Sequence, residues 1–343
     1  MKNIYKNKII LVTGGTGSLG KALVKKLLKF QPKTIRVFDI DENRLFTMEH
    51  EIQVKNDELR FFLGDVRDKS RLRKAAKNVD FIFHLAALKH VMSCEYNAFE
   101  AVKTNVLGIQ NIIEVALENN VEKVIFTSSD KAANPNNTMG ATKLLGERLM
   151  TSAQYYRGSK RTIFSSVRFG NVIGSRGSVV DVFKKQIKDD LPITITNPEM
   201  TRFIMSIDSA LQLVLKCAEF SKGGEVFVLR MPIIKLKDLA DGLIREIAIL
   251  YQKNIKNIKI KTIGMKPGET EYEDLMTETE AEKAFETKDL FVIPPEYYSN
   301  YKNRWLVGLK RTTLSEYNSK SGPFLSINKI RIIVKGILEQ SDR

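Results

Sequence analysis

The amino-acid sequence predicts an α/β protein, a doubly wound parallel sheet with a smaller, mainly C-terminal second lobe. Three observations carry that prediction. Short apolar runs alternate with helical periods six times between Lys8 and Val167, the pattern of parallel strands joined by right-handed crossovers. The first run, Ile9 to Val12, leads directly into Gly14-Gly15-Thr16-Gly17-Ser18-Leu19-Gly20, a glycine-rich turn that opens a helix. The run Val124-Ile125-Phe126 ends in the polar group Thr127-Ser128-Ser129-Asp130-Lys131, and the carboxyl ends of strands are where open α/β sheets hold ligands.

Lys8 to Thr13 reads as the first strand, and the helix after it runs through Leu28. Gly14 and Gly17 permit a tight turn and close approach of backbone N–H groups to a pyrophosphate, while Gly20 lets helix and strand pack closely. Thr16, Ser18 and Leu19 complete the turn, and the helix N-terminus adds its partial positive charge. A second strand, Thr34 to Phe38, ends in Asp39, 19 residues past Gly20. A carboxylate about 20 residues on can bind the adenosine ribose hydroxyls, so these features together point to a bound dinucleotide.

The third strand, Leu59 to Leu63, leads to Gly64-Asp65-Val66, placed to meet an adenine. Asp65 fits a turn before the helix Asp68 to Ala76 equally well. Phe81 to His84 is the fourth strand and ends in Ala86-Ala87-Leu88-Lys89-His90, where two small residues let a flat ring approach the backbone. His84 and His90 have no acidic or cysteine partner at ligand spacing, so structural or substrate-contact roles are expected of them. Asn105, grouped with the cofactor contacts, begins a helical stretch ending near Glu118, and the sixth strand, Thr162 to Val167, leads into Arg168-Phe169-Gly170-Asn171-Val172.

The polar group after the fifth strand sets a Ser, an acid and an amine side by side, offering a hydrogen-bond donor, a proton donor and a general base within one turn of chain. The same residues fit a strand-to-helix turn with Ser and Asp as capping material. Met139 and Lys143 follow on the next helix.

Composition excludes several classes. Of 343 residues, 43% are hydrophobic and 28% charged, as in soluble globular proteins, and no apolar run approaches the roughly 18 to 20 residues of a membrane span. The basic, then apolar, N-terminus reads as a first strand rather than a signal peptide, because its apolar part runs straight into the glycine turn. Cys94 and Cys217 are the two cysteines, far apart, which suggests neither a disulfide framework nor a metal site and fits a reducing cytoplasm. The net charge of +15 is spread through every segment. Without a dense basic helix it indicates solvated surface and a site for phosphates, not nucleic acid.

Residues 1–176 are expected to form the dinucleotide-binding domain, with some later segments returning to it, and 177–300 a substrate-binding lobe woven into it. Its helical periods lie at Ser209 to Phe220 and Leu236 to Leu250, with strand-like runs at Ile193 to Thr196 and Ile258 to Ile263. Residues 301–343, with Trp305 and a basic amphipathic helix at Asn328 to Leu338, read as an appended tail whose helix suits a membrane surface but is more plainly expected to pack on a neighbouring subunit; a homo-oligomer, dimer or hexamer, is expected.

Thr13 to Gly20, Ala86-Ala87-Leu88-Lys89-His90-Val91, Asp130-Lys131-Ala132-Ala133-Asn134-Pro135, Arg168 to Val172 and Pro267-Gly268-Glu269 together resemble the extended short-chain dehydrogenases/reductases. Within them the chain is similar to the bacterial UDP-N-acetylglucosamine 4,6-dehydratases, and Met139 with Glu316-Tyr317-Asn318-Ser319 resembles the capsule-type branch that also inverts C5. The resemblance implies UDP-N-acetylglucosamine as substrate and a 4-keto-6-deoxy product. It also implies Lys131 as the base at C5, Asp130 as the acid for the departing C6 oxygen, Ser129 beside them, and Lys143 in contact with both chemistry and cofactor. It places Lys89, His90, Asn171, Ser178, Arg202, Lys266 and Glu269 around the sugar nucleotide. Two departures stand out. Met139 replaces the usual phenol, which breaks the Tyr/Lys pair; and Asp39-Ile40 stands where many relatives have a Ser-Arg pair, so NAD is expected rather than NADP, because a carboxylate repels a 2′-phosphate. A UDP-hexosamine 4-epimerase and a non-catalytic dinucleotide sensor are the alternatives; the intact Asp130-Lys131 pair argues against both.

Overall fold

The structure, a computed structural model, describes residues 3–52, 58–295, 309–320 and 322–341. The chain forms two units. The first comprises Met1–Phe169, Leu211–Arg230 and Leu275–Glu316; the second Gly170–Ala210, Met231–Asp274 and Tyr317–Arg343.

β-Branched and aromatic residues dominate six strands of the first unit: β1 (Ile9–Thr13), β2 (Thr34–Asp39), β3 (Leu59–Leu63), β4 (Phe81–His84), β5 (Lys123–Thr127) and β6 (Ile163–Arg168). They pair in parallel in the order β3-β2-β1-β4-β5-β6. The order reverses at β1, between β2 and β4, and a crevice at such a switch point is where a nucleotide sits. Four strands extend the sheet beyond β6: Val226–Leu229, parallel to it, then Leu290–Ile293, Phe285–Glu286 and Lys310–Arg311, all antiparallel. Strand side chains, among them Leu11, Ile82, Val124 and Phe126, and helix side chains, among them Ile109, Ile112 and Met150, form one continuous buried core. Each such side chain contributes about 1.5–3 kcal/mol by leaving water.

The second unit has a three-stranded sheet, Ile233–Lys235, Thr201–Met205 and Asn171–Val172, a two-stranded sheet of Ile193–Ile195 with Ile260–Thr262, and the helices Val179–Lys188, Leu236–Leu250 and Ile327–Ser341. Ile330, Val334 and Leu338, four apart and hence on one helical face, are buried against Leu239, Leu243 and Ile247. At Gly242 even a Cβ would come within 2.9 Å of Ile330. The C-terminal helix is therefore a core element of its own unit, and the face expected to meet a neighbouring subunit is already covered.

The units also divide at different places from those the sequence suggests. The first ends at Phe169, not 176, and takes back Leu275–Glu316, which was read as substrate lobe and tail. Short antiparallel strands with no crossover helix carry no βαβ spacing, so their return to the sheet leaves no periodic trace. Trp305 lies outside the described residues. Among the described residues no helix is long and apolar enough to cross a membrane.

Candidate active site

The glycine turn joins β1 to helix α1 (Ser18–Leu28), and its glycines do different work. Gly14 has φ +66°, and a Cβ there would lie 2.7 Å from the Ala86 nitrogen, so the turn presses on the end of β4. A Cβ at Gly20 would lie 2.3 Å from Gly14 O, which makes it the packing glycine. Gly17 is the N-cap of α1, with no capping side chain, and a Cβ there would have Gly14 O at 3.2 Å as its one near neighbour. That opening at a helix N-terminus suits an anion such as a pyrophosphate. Asp39, at the end of β2, is pre-oriented: its Oδ2 accepts from Thr16 N at 3.0 Å and Thr16 Oγ1 at 2.7 Å, and Oδ1 from Asp41 N at 3.2 Å. A carboxylate has about four acceptor sites, so capacity for a ribose hydroxyl remains. The residues present thus fit a dinucleotide.

Other expected cofactor contacts are placed differently. Arg67 occupies the Asp65 carboxylate through its backbone at 2.9 Å and its side chain at 2.6 Å. Burial pushes the Asp65 carboxyl up, but the hydrogen bonds from Arg67 hold it below the usual range. Val66 is a core residue, packed opposite Gly108. Asn105 lies in a single π-helical turn, Lys103–Leu107, a local widening that often marks functional sites. Its side chain clamps Leu88 through both backbone groups, at 2.8 and 3.0 Å, and reaches Thr142 Oγ1 at 3.0 Å, which holds the Ala86-Ala87-Leu88 segment against the Thr138–Tyr156 helix. Lys89 and His90 follow on the exposed surface; burial and then the charge of Lys89 lower the His90 pKa.

After β5 the chain makes one 3-10 turn, Asp130–Ala132, with Ser129 as its cap. Phe169 O accepts the Asp130 N–H at 3.1 Å. Ser129 Oγ donates to Asp130 Oδ1 at 2.7 Å, and Lys131 Nζ donates to Asp130 Oδ2 at 2.8 Å. The Asp130 side chain is 2% exposed and that of Lys131 28%, so the pair presents its amine outward and keeps its carboxylate inside. Gly140 makes this possible, because a Cβ there would lie 2.3 Å from Lys131 O. Asn137 caps the same helix by accepting from Gly140 N at 2.8 Å.

Met139, Lys143 and Glu147 follow at four-residue intervals and so share one face of that helix. Met139 is buried with Cys94 and Ala101, with Leu88 and Val91 beside them; the thioether fills an apolar pocket. Lys143 is buried, donates to Thr127 O at 2.9 Å and lies 4.8 Å over the Phe126 ring. Burial pulls its pKa down to about 8, with Glu147 and Cys94 pulling the other way. His84 accepts or donates at Nδ1 to Thr13 Oγ1, 2.7 Å away, and stacks on Phe126. Burial, reinforced by Lys143, lowers its pKa to about 3, so it is a neutral structural group.

In the second unit Asn171 and Arg202 converge on a residue that sequence reasoning missed, Glu273. Asn171 Nδ2 reaches both its oxygens at 2.9 and 2.8 Å, Arg202 Nε lies 3.4 Å away, and Phe203 N donates at 3.0 Å. Glu273 N in turn donates to Ser319 Oγ at 2.9 Å, which ties the Tyr317-Asn318-Ser319 motif to this group. Lys266 and Glu269 close a turn on each other, Lys266 N donating to Glu269 Oε2 at 3.0 Å. Ser178 caps the Val179–Lys188 helix without a side-chain hydrogen bond, and its hydroxyl is buried with no partner among the described residues.

A family profile described as "Polysaccharide biosynthesis protein" matches residues 10–295. A Methanocaldococcus jannaschii relative, named an uncharacterized membrane protein, is 53% identical over 337 residues, 98% of each chain. A Campylobacter jejuni relative named UDP-N-acetylglucosamine 4,6-dehydratase (inverting) is 41% identical over 85% of this chain and 84% of its own. One from Rickettsia felis named UDP-glucose 4-epimerase is 38% identical over 96% and 95%. The solved structure of Pen from Bacillus thuringiensis superposes with a TM-score of 0.92 at 44% identity, covering 98% of this chain and 99% of that one. The profile covers most of the chain and the relatives nearly all of it: the chain belongs to the polysaccharide biosynthesis protein family of the extended short-chain dehydrogenases/reductases.

Proposed function

We propose that this protein is a UDP-N-acetylglucosamine 4,6-dehydratase that uses NAD, yields a UDP-4-keto-6-deoxy-hexosamine for surface glycan synthesis, and inverts C5. At the coarser level the chain is related to sugar-nucleotide dehydratases and epimerases. The observation that carries the finer reading is the 2.8 Å contact between Lys131 Nζ and Asp130 Oδ2.

Dehydration needs a base for the C5 proton and an acid for the C6 oxygen. One proton moved across that contact, from ammonium to carboxylate, converts an ion pair into an amine and a carboxylic acid, the two forms required. Lys131, the outward member, then takes the proton from C5, and Asp130 delivers its own to the leaving C6 hydroxyl. Ser129, donating to Asp130 Oδ1, directs Oδ2 toward the exchange. NAD supplies a hydride acceptor and, once reduced, a hydride donor; Gly17, Asp39 and the Ala86-Ala87 segment would hold it. Asn171, Ser178, Arg202, Lys266 and Glu269 are the proposed UDP contacts. C5 inversion is proposed on the 41% identity to relatives named as inverting enzymes.

Identity to relatives named UDP-glucose 4-epimerase over 96% of the chain favours a second reading, epimerisation at C4. It shares the first oxidation but has no use for an acid at C6. Incubation with UDP-N-acetylglucosamine and NAD separates the two: dehydration lowers the product mass by one water, whereas epimerisation leaves it unchanged.

A further inference from the structure

Arg168 takes no part in the chemistry proposed above, yet it heads the fully buried side chains by size among the described residues. A buried guanidinium is costly unless its donors are paired. Here Nε and Nη2 grip the two oxygens of Glu147 at 3.0 and 2.5 Å. Nη1 and Nη2 grip those of Glu280 at 2.8 and 3.0 Å, and Nη1 also reaches Leu275 O at 2.9 Å. The fork joins three elements of the first unit. Arg168 ends β6; Glu147 lies one turn past Lys143; Glu280 sits in the Glu278–Ala281 helix, fixed by a capping box with Thr277. The carbonyls flanking Arg168 hold the acid–base segment: Val167 O accepts Ser128 N–H at 2.7 Å and Phe169 O accepts Asp130 N–H at 3.1 Å.

We propose that Arg168 is a positioning residue, locking the helix that carries Met139 and Lys143 to the strand end that fixes Ser128 and Asp130. The proposal rests on the dehydratase reading of that site. Stability alone does not call for this arrangement, since apolar side chains can replace buried ion pairs without loss. What a planar guanidinium adds is direction, because it holds each carboxylate in a set orientation as a Lys ammonium does not.

The test is Arg168→Lys, which keeps the charge and loses the fork. Four quantities are read: kcat and KM on UDP-N-acetylglucosamine, NAD affinity by titration, and amide hydrogen exchange across residues 127–133. Misplacement of catalytic groups predicts a kcat lower by about 10- to 100-fold, with KM and NAD affinity changed by less than about threefold. Exchange of the Ser128 and Asp130 amides should quicken. A folded variant with wild-type kcat, or with unchanged exchange in that segment, overturns the proposal. If Arg168→Lys does not fold, Glu280→Gln, at the more exposed end of the cluster, should still quicken that exchange, and unchanged exchange would again overturn it. A wild type inert toward the substrate overturns the dehydratase reading alone, and the exchange measurement then decides the role of Arg168.

Discussion

At the scale of single residues the account stands on Lys131, Asp39 and Met139. Lys131→Ala leaves the C5 proton without a base, so turnover should fall by about 10² to 10⁴ while NAD binding, measured by titration, is kept; a variant retaining more than about a tenth of wild-type turnover means that the base lies elsewhere. Asp39, held by Thr16, predicts tighter binding of NAD than of NADP. Asp39→Ala with Ile40→Arg exchanges a charged acceptor for a phosphate partner and should shift the ratio of the two dissociation constants by roughly 10- to 100-fold, whereas tighter NADP binding by the wild type would contradict the assignment. Met139→Tyr must force a larger, polar group into the pocket with Cys94 and Ala101, at a cost of about 1–3 kcal/mol, and should not raise turnover. An inert wild type activated by that substitution would identify a lapsed enzyme. Asp130 and Lys131 stand out in the sequence because they follow an apolar strand in a short specific motif, and the fold brings their side chains into contact. Glu273 was not: it lies among the acids Glu269, Glu271 and Asp274, and only the folded second unit shows which of them Asn171 and Arg202 meet.

Among the elements, the Thr138–Tyr156 helix matters most, because one face carries Met139, Lys143 and Glu147, the last two reaching Thr127 of β5 and Arg168 of β6. Its contacts explain which parts of the sequence could be read. Six parallel strands with helical crossovers leave a strong alternation, and their bounds agree with the pattern to within a residue or so. The hairpin strands Phe285–Glu286 and Leu290–Ile293 were missed, since they pair antiparallel with no crossover helix to set them in the alternating pattern. Gly140 and Gly146 look like helix weaknesses in sequence; in the fold they let the helix approach Lys131 O and the Phe126 ring. The layer beneath the helix also sets a pH response. His84 has its pKa lowered to about 3 by burial and by Lys143, against about 6.5 unfolded. Below pH 6.5 the unfolded chain gains a proton that the folded one refuses, so stability falls as pH drops from about 6.5 toward 3, by up to about 1.4 kcal/mol per unit. Urea denaturation at pH 7 and pH 5 should show a loss for the wild type that exceeds that of His84→Gln by about 1–2 kcal/mol. Equal losses would mean that His84 is not held neutral.

For the whole molecule, the division of labour between the units follows from where the chain crosses: after Phe169, back at Leu211, and again after Arg230, Asp274 and Glu316. The first unit gathers the dinucleotide fit and the acid–base pair, the second the Glu273 group and the turn at Lys266. Two of these crossings fall inside elements, Ala210 to Leu211 within the Ile207–Phe220 helix and Asp274 to Leu275 within the Asp274–Met276 strand, and none is a glycine-, proline- or serine-rich linker, which is why composition did not mark the boundaries. The C-terminal helix was misread for a related reason: its basic, exposed side is visible in sequence, but the apolar side that fills the second core can be assigned to an occupant only once the Leu236–Leu250 helix is seen against it. The central claim is that the Asp130-Lys131 pair eliminates water from a UDP-sugar. It is tested most directly by incubating the protein with UDP-N-acetylglucosamine and NAD in deuterated water and recording product mass and proton spectrum. The account predicts a product that has lost one water and carries one deuterium at C5, with a 6-deoxy methyl signal; a product that has lost no water, epimerised at C4 and without deuterium at C5, would contradict it.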